Sequence, residues 1–251
     1  MKWMKWLIAA IIGAVIGVGI YKATKIKQEK ARATGRHMPY GLYEALFKRP
    51  IDLVVSVTAL IILSPVLLII AILVRVKLGS PVVFKQERPG RIDPKTGKEK
   101  IFTLYKFRTM TDKRGADGQL FPDAERMTPF GSALRTSSGD ELLELINIAK
   151  SDMSIVGPRP LLLEYLPRYS EEQRHRHDVR PGLTSLSASK KRNLASWDEK
   201  FEDDVKYANK ITFLGDVKII IDTIRIVFKR EGIHSETSST MEYFQGNGDK
   251  V

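Results

Sequence analysis

The sequence predicts a membrane-associated α+β protein that is mainly helical, and three patterns lead to this fold class. Two apolar segments of about membrane length lie within the first 78 residues. A pair of short apolar strands follows, with turn residues between them. Amphipathic helical patterns then occupy much of the remaining chain.

The composition limits the partners and the chemistry. The formal net charge is +12, which indicates an anionic partner such as a phosphorylated substrate, an acidic lipid surface or nucleic acid. The chain contains no cysteine, so disulfide bonds and thiol chemistry are excluded.

The first apolar segment, Met4–Tyr21, carries one charge, at Lys5, and is close to the shortest length that crosses a bilayer. Basic residues are dense after this segment and sparse before it. The positive-inside rule therefore predicts that the N-terminus lies outside and that the chain after Tyr21 is cytoplasmic. We assign residues 1–22 to a membrane helix and residues 23–47 to a basic linker.

The second membrane segment, residues 48–78, is interrupted by Ser64-Pro65 and has basic residues at both ends. Pro65 has no N–H to donate to the carbonyl of Ile61, so we expect a kink, with a side chain such as Ser64 satisfying that carbonyl. The residues are equally consistent with a kinked spanning helix and with a re-entrant helix that enters and leaves by one face of the membrane.

A soluble domain, residues 79–232, comes next, and a polar tail, residues 233–251, is predicted to be flexible. The strands of a short β-hairpin are predicted at Val82–Gln86 and Ile101–Tyr105. Amphipathic helices are predicted at Trp197–Asn209 and Val217–Lys229. Each helix can either pack against the core or lie in the membrane interface.

Two adjacent acids, Asp140 and Glu141, form the candidate site at a predicted helix start. Ser138 would cap this helix, and Glu141 three residues later would complete a capping box. The free backbone N–H groups of a helix start favour a phosphate or a metal-bound phosphate. On these residues alone, an ordinary capped amphipathic helix is the simpler explanation.

Cationic residues lie on both sides of the acid pair in the sequence: Lys106, Arg108, Arg135, Arg159 and Arg180. Arg159 stands between two prolines that restrict its backbone, which suits bidentate contact with phosphate. Solvated surface charge is the alternative explanation for most of these side chains.

A set of short motifs lies in a fixed order along the chain. They are Lys48-Arg49-Pro50-Ile51-Asp52, the Ser64-Pro65 break, residues 79–90 (GSPVVFKQERPG), 105–110 (YKFRTM), 134–142 (from Leu-Arg to Asp-Glu-Leu), 152–160 (DMSIVGPRP) and 180–184 (RPGLT). In this order, they resemble the bacterial sugar transferase family, the small monotopic phosphoglycosyl transferases that start glycan assembly on polyprenyl phosphate. The resemblance covers about residues 44–232. Each motif is weak, but the ordered set is specific.

The resemblance implies a re-entrant second segment with its break at Ser64 and Pro65. It also implies that Asp140 is a nucleophile and that Glu141 is its partner, with both acids at a Mg²⁺ site. Arg135 and Arg159 match family residues that contact phosphate or substrate. We add Lys106, Arg108 and Arg180 as further candidates for binding substrate phosphates.

The implied reaction transfers a sugar 1-phosphate from a UDP-sugar to polyprenyl (undecaprenyl) phosphate, through a phosphosugar on Asp140, and releases UMP. An N-acetylated amino sugar is the expected donor group, but Ser185–Ser189 replaces the family's Gly-Trp-Ala-Gln segment, which leaves the sugar open. The implied location is the bacterial inner membrane, with the catalytic domain on the cytoplasmic face.

Phospholipid is a further expected partner, nucleic acid is not expected, and homo-oligomerisation stays open. Two alternatives remain. One is a membrane-anchored glycosyl transferase that releases UDP, which the adjacency of Asp140 and Glu141 disfavours because neighbouring helical side chains diverge by about 100°. The other is a non-enzymatic, basic, membrane-anchored binding protein.

Overall fold

The computed structural model describes residues 37–190, 195–229 and 243–246. The predicted N-terminal membrane helix and the linker up to residue 36 lie outside the described residues. So does the predicted tail, apart from residues 243–246.

Helix α1, Lys48–Leu78, is continuous over 31 residues and follows a π-helical turn at Tyr43–Phe47. Within the described ranges, it forms with that turn the one helix long and apolar enough to cross a membrane. The hydroxyl of Ser64 donates to the carbonyl of Ile61 at 2.8 Å. The predicted compensation for the missing N–H of Pro65 is therefore confirmed.

Both ends of α1 are attached to the same domain. At its start, the carboxylate of Asp52 accepts hydrogen bonds from the Ser154 hydroxyl at 2.6 Å and from the Ile155 N–H at 3.1 Å. At its end, Leu78 is buried in a cluster that includes Phe107. The opposite face is apolar and exposed, as at Ile61, whose side chain is 69% exposed.

Strands β1, Val83–Ile92, and β2, Glu99–Phe107, pair as an antiparallel hairpin. This confirms the predicted hairpin, although each strand is longer than its alternation indicated. Charged residues such as Arg88 and Glu99 lie within the paired register, and they masked the strand ends in the sequence.

Short elements connect the hairpin to the two C-terminal helices. They are α2, Asp123–Arg126; α3, Pro129–Thr136; a 3-10 turn, Gly139–Leu143; α4, Glu144–Ala149; β3, Ser154–Val156; a 3-10 turn, Leu163–Arg168; α5, Glu171–Arg174; a 3-10 turn, His175–Asp178; and β4, Gly182–Thr184. Most of these elements are too short to give a periodic pattern.

The sequence did not predict the parallel pairing of β3 with β4. This pairing brings Gly157 and Gly182 so close that a Cβ on Gly182 would lie 2.1 Å from the backbone nitrogen of Gly157. The glycine of the Arg180-Pro181-Gly182 turn is therefore required by backbone packing.

Helix α6, Trp197–Asn209, and helix α7, Phe213–Lys229, confirm the two predicted amphipathic helices. Ser196 and Glu199 form a complete capping box at the start of α6. Phe201 and Tyr207 are buried, so α6 packs against the core. Helix α7 buries Ile219 but exposes other apolar side chains, and its location in a membrane interface stays a prediction.

Candidate active site

The acid pair lies in the 3-10 turn Gly139–Leu143, between α3 and α4. The predicted capping box is wrong: Ser138 has a left-handed backbone, with φ of 57°, and its side chain makes no capping hydrogen bond. Glu141 also does not reach back to complete a box. Its carboxylate instead binds two cations, which are stronger partners than a backbone N–H.

Two cationic side chains converge on one oxygen of Glu141. Lys106 Nζ, from β2, and Arg159 Nη2, from the loop after β3, each lie 2.7 Å from Glu141 Oε1. Burial opposes ionisation of Glu141, but Arg159 and Lys106 outweigh it and hold the pKa of this carboxyl below its ordinary value. Glu141 is therefore an anion that fixes the positions of both cations.

A third acid at the site, Glu144, was not predicted from the sequence. Its carboxylate lies 3.0 Å from Lys106 Nζ, so one lysine bridges two glutamates. Burial, together with the charge of Glu141, raises the pKa of Glu144 to about 7 despite the opposing effect of Lys106. The signal was its spacing, since Glu144 follows Glu141 by three residues and helical neighbours three apart share a face.

Asp140 is 8% exposed and lies among charges of both signs. Burial, followed by the charge of Glu141, raises its pKa to about 6, while Lys106, Arg135 and Arg159 oppose the rise. At neutral pH, Asp140 is therefore mostly an ionised carboxylate with little solvation. Such a group can act as a nucleophile.

Arg135 influences Asp140 electrostatically from the last turn of α3. Its Nε donates to the hydroxyl of Thr109 at 3.0 Å, which orients the guanidinium. Of the five predicted phosphate-binding residues, Lys106, Arg135 and Arg159 are therefore brought to the acid pair.

Arg108 and Arg180 are not brought there. The guanidinium of Arg108 donates to the carbonyls of Leu78 and Ser80, where α1 ends, and to the carboxylate of Asp112. It is buried and has a structural role, because the hairpin crosses the end of α1 at this point.

Arg180 donates to the carbonyl of Ser151 at 3.0 Å and lines a separate cavity of about 550 Å³ together with Arg49 and Arg91. The sequence alone could not separate these two arginines from the other three, since tertiary packing decides which cations meet the acids.

A cavity of about 340 Å³ adjoins the acid pair. Lys106 and Arg159, which bind Glu141, also line this cavity. Its lining further includes Arg88, Glu144, Tyr165 and Trp197. Burial, together with repulsion from the neighbouring guanidinium of Arg159, lowers the pKa of Arg88 to about 10. A cavity with three cations and two aromatic rings suits a phosphorylated ligand that carries a ring.

The chain matches the family described as Bacterial sugar transferase over residues 43–230. It belongs to the bacterial sugar transferase family. This membership explains why the motifs from α1 to β4 follow the family's order.

Several curated sugar transferases are similar to the chain. The uncharacterized sugar transferase EpsL of Bacillus subtilis is 47% identical over 204 residues, which cover 81% of this chain and 98% of EpsL. The UDP-N-acetylgalactosamine-undecaprenyl-phosphate N-acetylgalactosaminephosphotransferase of Aeromonas hydrophila is 31% identical over 81% of this chain and 48% of its own length. The undecaprenyl-phosphate galactose phosphotransferase of Salmonella typhimurium is 31% identical over 74% of this chain and 41% of its own length. The match thus spans less than half of the latter two proteins.

The acids of this sugar transferase have the donor type that Mg²⁺ requires. Mg²⁺ commonly takes one or two protein carboxylates and fills its other positions with water and substrate phosphates. No group of three or more potential ligands is assembled within the described ranges. Asp140 and Glu141 are adjacent carboxylates, which is the donor chemistry of a site of this two-carboxylate kind.

Proposed function

We propose that this chain is a phosphoglycosyl transferase that moves a sugar 1-phosphate from a UDP-sugar to polyprenyl phosphate and releases UMP. The observation that carries the proposal is the position of Asp140, a buried carboxylate next to Glu141, which holds Lys106 and Arg159. Asp140 also lies within electrostatic reach of Arg135. Relatives named as undecaprenyl-phosphate sugar phosphotransferases support the reaction class.

In the first step, a carboxylate oxygen of Asp140 attacks the phosphorus that bears the sugar. An O–P bond forms to Asp140, the bond from this phosphorus to the bridging oxygen breaks, and the bridging oxygen leaves with UMP. Ionised Asp140 needs no base for this attack, since it has no proton to lose at neutral pH. A covalent intermediate divides one difficult displacement into two easier steps.

In the second step, an oxygen of polyprenyl phosphate attacks the same phosphorus. The new O–P bond gives polyprenyl-diphosphate-sugar, and the bond to Asp140 breaks to restore the carboxylate. No net proton transfer is required, because each step exchanges one anionic oxygen for another.

The cations stabilise charge on the transferring phosphoryl group. Lys106 and Arg159 are held by Glu141, so they are already oriented before substrate binds. Arg135 adds a guanidinium on the Asp140 side. Mg²⁺ bound by Asp140 and Glu141 would neutralise diphosphate charge and so assist departure of UMP.

The contacts of α1 support a re-entrant arrangement in the membrane. Asp52 near its start and Leu78 at its end both contact the domain that carries Asp140. A spanning helix of 31 residues, about 46 Å long, would separate those ends by the thickness of a bilayer. We propose that α1 keeps both ends on the cytoplasmic face of the bacterial inner membrane, where the phosphate of the lipid acceptor lies.

Single cysteines test this arrangement cleanly, because the chain has none of its own. Leu42→Cys and Lys77→Cys place thiols on exposed residues at the two ends of the α1 segment. Re-entry predicts that a membrane-impermeant thiol reagent labels both in inside-out vesicles and neither in intact cells. Labelling of the two cysteines from opposite sides would establish a spanning helix instead.

The test of the reaction is the nucleotide product. Purified protein is given Mg²⁺, polyprenyl phosphate and a panel of UDP-sugars that includes N-acetylated amino sugars, glucose and galactose. We expect UMP release, and a loss of about 10³-fold or more in Asp140→Asn. Asp222→Asn, at a partly exposed acid of α7 that pairs with Lys218 and Arg225, is the matched control and should keep full activity.

The other outcomes identify the alternatives. Release of UDP would favour a glycosyl transferase, and absence of release with every donor would favour a binding protein. Full activity in Asp140→Asn would refute the nucleophile assignment while leaving the reaction class to be decided by the product.

A further inference from the structure

Phe244 is buried in the domain although it lies outside the family match, which ends at residue 230. Its side chain is 3% exposed, and both of its backbone polar groups are bonded. Its N–H donates to the hydroxyl of Tyr165 at 3.2 Å, and its carbonyl accepts from the guanidinium of Arg168. A segment that the sequence predicted to be a flexible tail thus contributes a core residue.

The ring of Phe244 lies at the centre of an aromatic cluster. Its centroid is 4.9 Å from that of Phe201, 5.3 Å from that of Trp197 and 5.6 Å from that of Tyr165. Tyr165 and Trp197 also meet edge to face at 5.5 Å. Aromatic contacts at these distances fix ring orientation in addition to burying surface.

Two of these rings belong to the cavity beside the acid pair. Tyr165 and Trp197 line this cavity, and its lining also includes the cations Arg88, Lys106 and Arg159. Phe244 does not line the cavity but packs behind both rings. Removing its side chain would leave space into which Tyr165 and Trp197 could relax away from a ligand.

We propose that Phe244 is a positioning residue for nucleotide-sugar binding: it holds Tyr165 and Trp197 as the aromatic wall against which the donor binds. This inference rests on the proposed function. It assigns to the C-terminal segment, beyond the part shared with the family, a contribution to affinity for the donor and none to the chemical step at Asp140.

The test compares Phe244→Ala, Phe244→Leu and Gln245→Ala in the full-length protein. Phe244→Ala should raise the KM for the UDP-sugar by about five-fold or more while kcat changes by less than about two-fold, since ground-state binding is lost and not transition-state stabilisation. Phe244→Leu keeps an apolar side chain and should raise KM by about two- to three-fold. Gln245 is exposed, so Gln245→Ala is the matched control and should behave as the unmodified protein.

A binding measurement separates affinity from turnover. The chain has three tryptophans, so Trp3→Phe and Trp6→Phe leave Trp197 as the sole indole. Titration with UDP should quench Trp197 fluorescence, and Phe244→Ala should weaken the apparent affinity by about five-fold or more. If the alanine variant does not fold, the leucine variant decides by the same two measurements.

Unchanged KM and UDP affinity in both Phe244 variants would overturn the inference and leave the proposed function intact. A fall in kcat with KM unchanged would also overturn it. If the unmodified protein neither binds UDP nor releases UMP, the proposed function and this inference fail together.

Discussion

The guanidinium of Arg176 donates from Nη2 to the backbone carbonyl of Arg159, at 2.7 Å. Arg176 is itself fully buried, and its Nε and Nη2 also donate to Asp204 at 3.0 and 2.7 Å. A buried ion pair beneath the site thus holds the backbone of the arginine that binds Glu141. The two prolines beside Arg159 restrict the same backbone from within the loop.

We expect Asp204→Ala to destabilise the protein by about 3–5 kcal/mol, because it leaves a buried guanidinium without its counter-ion. The measurement is the thermal unfolding midpoint in detergent or nanodiscs. UMP release measured well below that midpoint should also fall, since Arg159 loses a backbone support.

Its neighbour supplies the control. Asp203 pairs at 2.5 Å with Lys190, whose side chain is half exposed, and an exposed pair is worth about 0–1 kcal/mol. Asp203→Ala should therefore leave the unfolding midpoint nearly unchanged. Equal destabilisation by the two substitutions would contradict a special role for the buried pair.

Lys106→Met should lower the rate of UMP release by about 10²-fold or more, because it removes a cation from the phosphoryl site and leaves Glu141 and Glu144 without their bridge. Lys150→Met, on a half-exposed lysine, is the control for loss of a positive charge. Comparable rates for the two variants would show that Lys106 is not part of the site.

The rate should depend on pH through Asp140. Burial raises the pKa of Asp140 to about 6, and the nucleophile must be ionised, so activity is retained above this pH and lost below it. We expect kcat/KM to fall by about tenfold per pH unit below 6. Because Lys106 favours the ionised form, the residual activity of Lys106→Met should show the same fall at a higher pH. A flat profile from pH 5 to 8 would exclude Asp140 as the group that titrates.

Glu144 should make the folded protein less stable as pH rises. Burial raises its pKa from 4.5 to about 7 in the folded state, so the folded protein holds the proton more tightly than the unfolded chain. Stability from this proton is fully present below about pH 4.5 and is lost as pH rises through 7, by up to about 3 kcal/mol.

Glu144→Gln removes that titration. The difference between unfolding midpoints at pH 5 and pH 7.5 should therefore be smaller in this variant than in the unmodified protein. Asp140, whose pKa is also raised, lowers the stability of both proteins as pH rises. The difference between the unmodified protein and Glu144→Gln therefore reports on Glu144. An identical difference in both would mean that Glu144 is not the titrating group.

Local sequence patterns were sufficient to predict those features that depend on residues close together in the chain. The apolar run of α1, the compensation of Pro65 by Ser64 and the two amphipathic helices depend on residues within a few positions of one another. Asp140 and Glu141 were found for the same reason, since they are adjacent in sequence and stand among motifs that keep the family's order.

Long-range packing set the remaining features. Ser138 does not cap a helix, because its backbone is left-handed. Glu141 does not complete a capping box, because its carboxylate binds cations 35 and 18 residues away. Arg108 and Arg180 read like phosphate binders but satisfy backbone carbonyls elsewhere. A sequence pattern does not say which of several basic side chains reaches an acid.

The amino-acid sequence alone was thus enough to predict the long apolar helix, the hairpin, the family resemblance and the acid pair. The folded chain was needed to bring Lys106 and Arg159 onto Glu141, to add Glu144, and to seat Phe244 behind the cavity wall. The physical reason is that periodicity and caps are encoded within a few residues. The partners of a buried charge or ring depend on which distant segments of the chain pack against it in the folded protein.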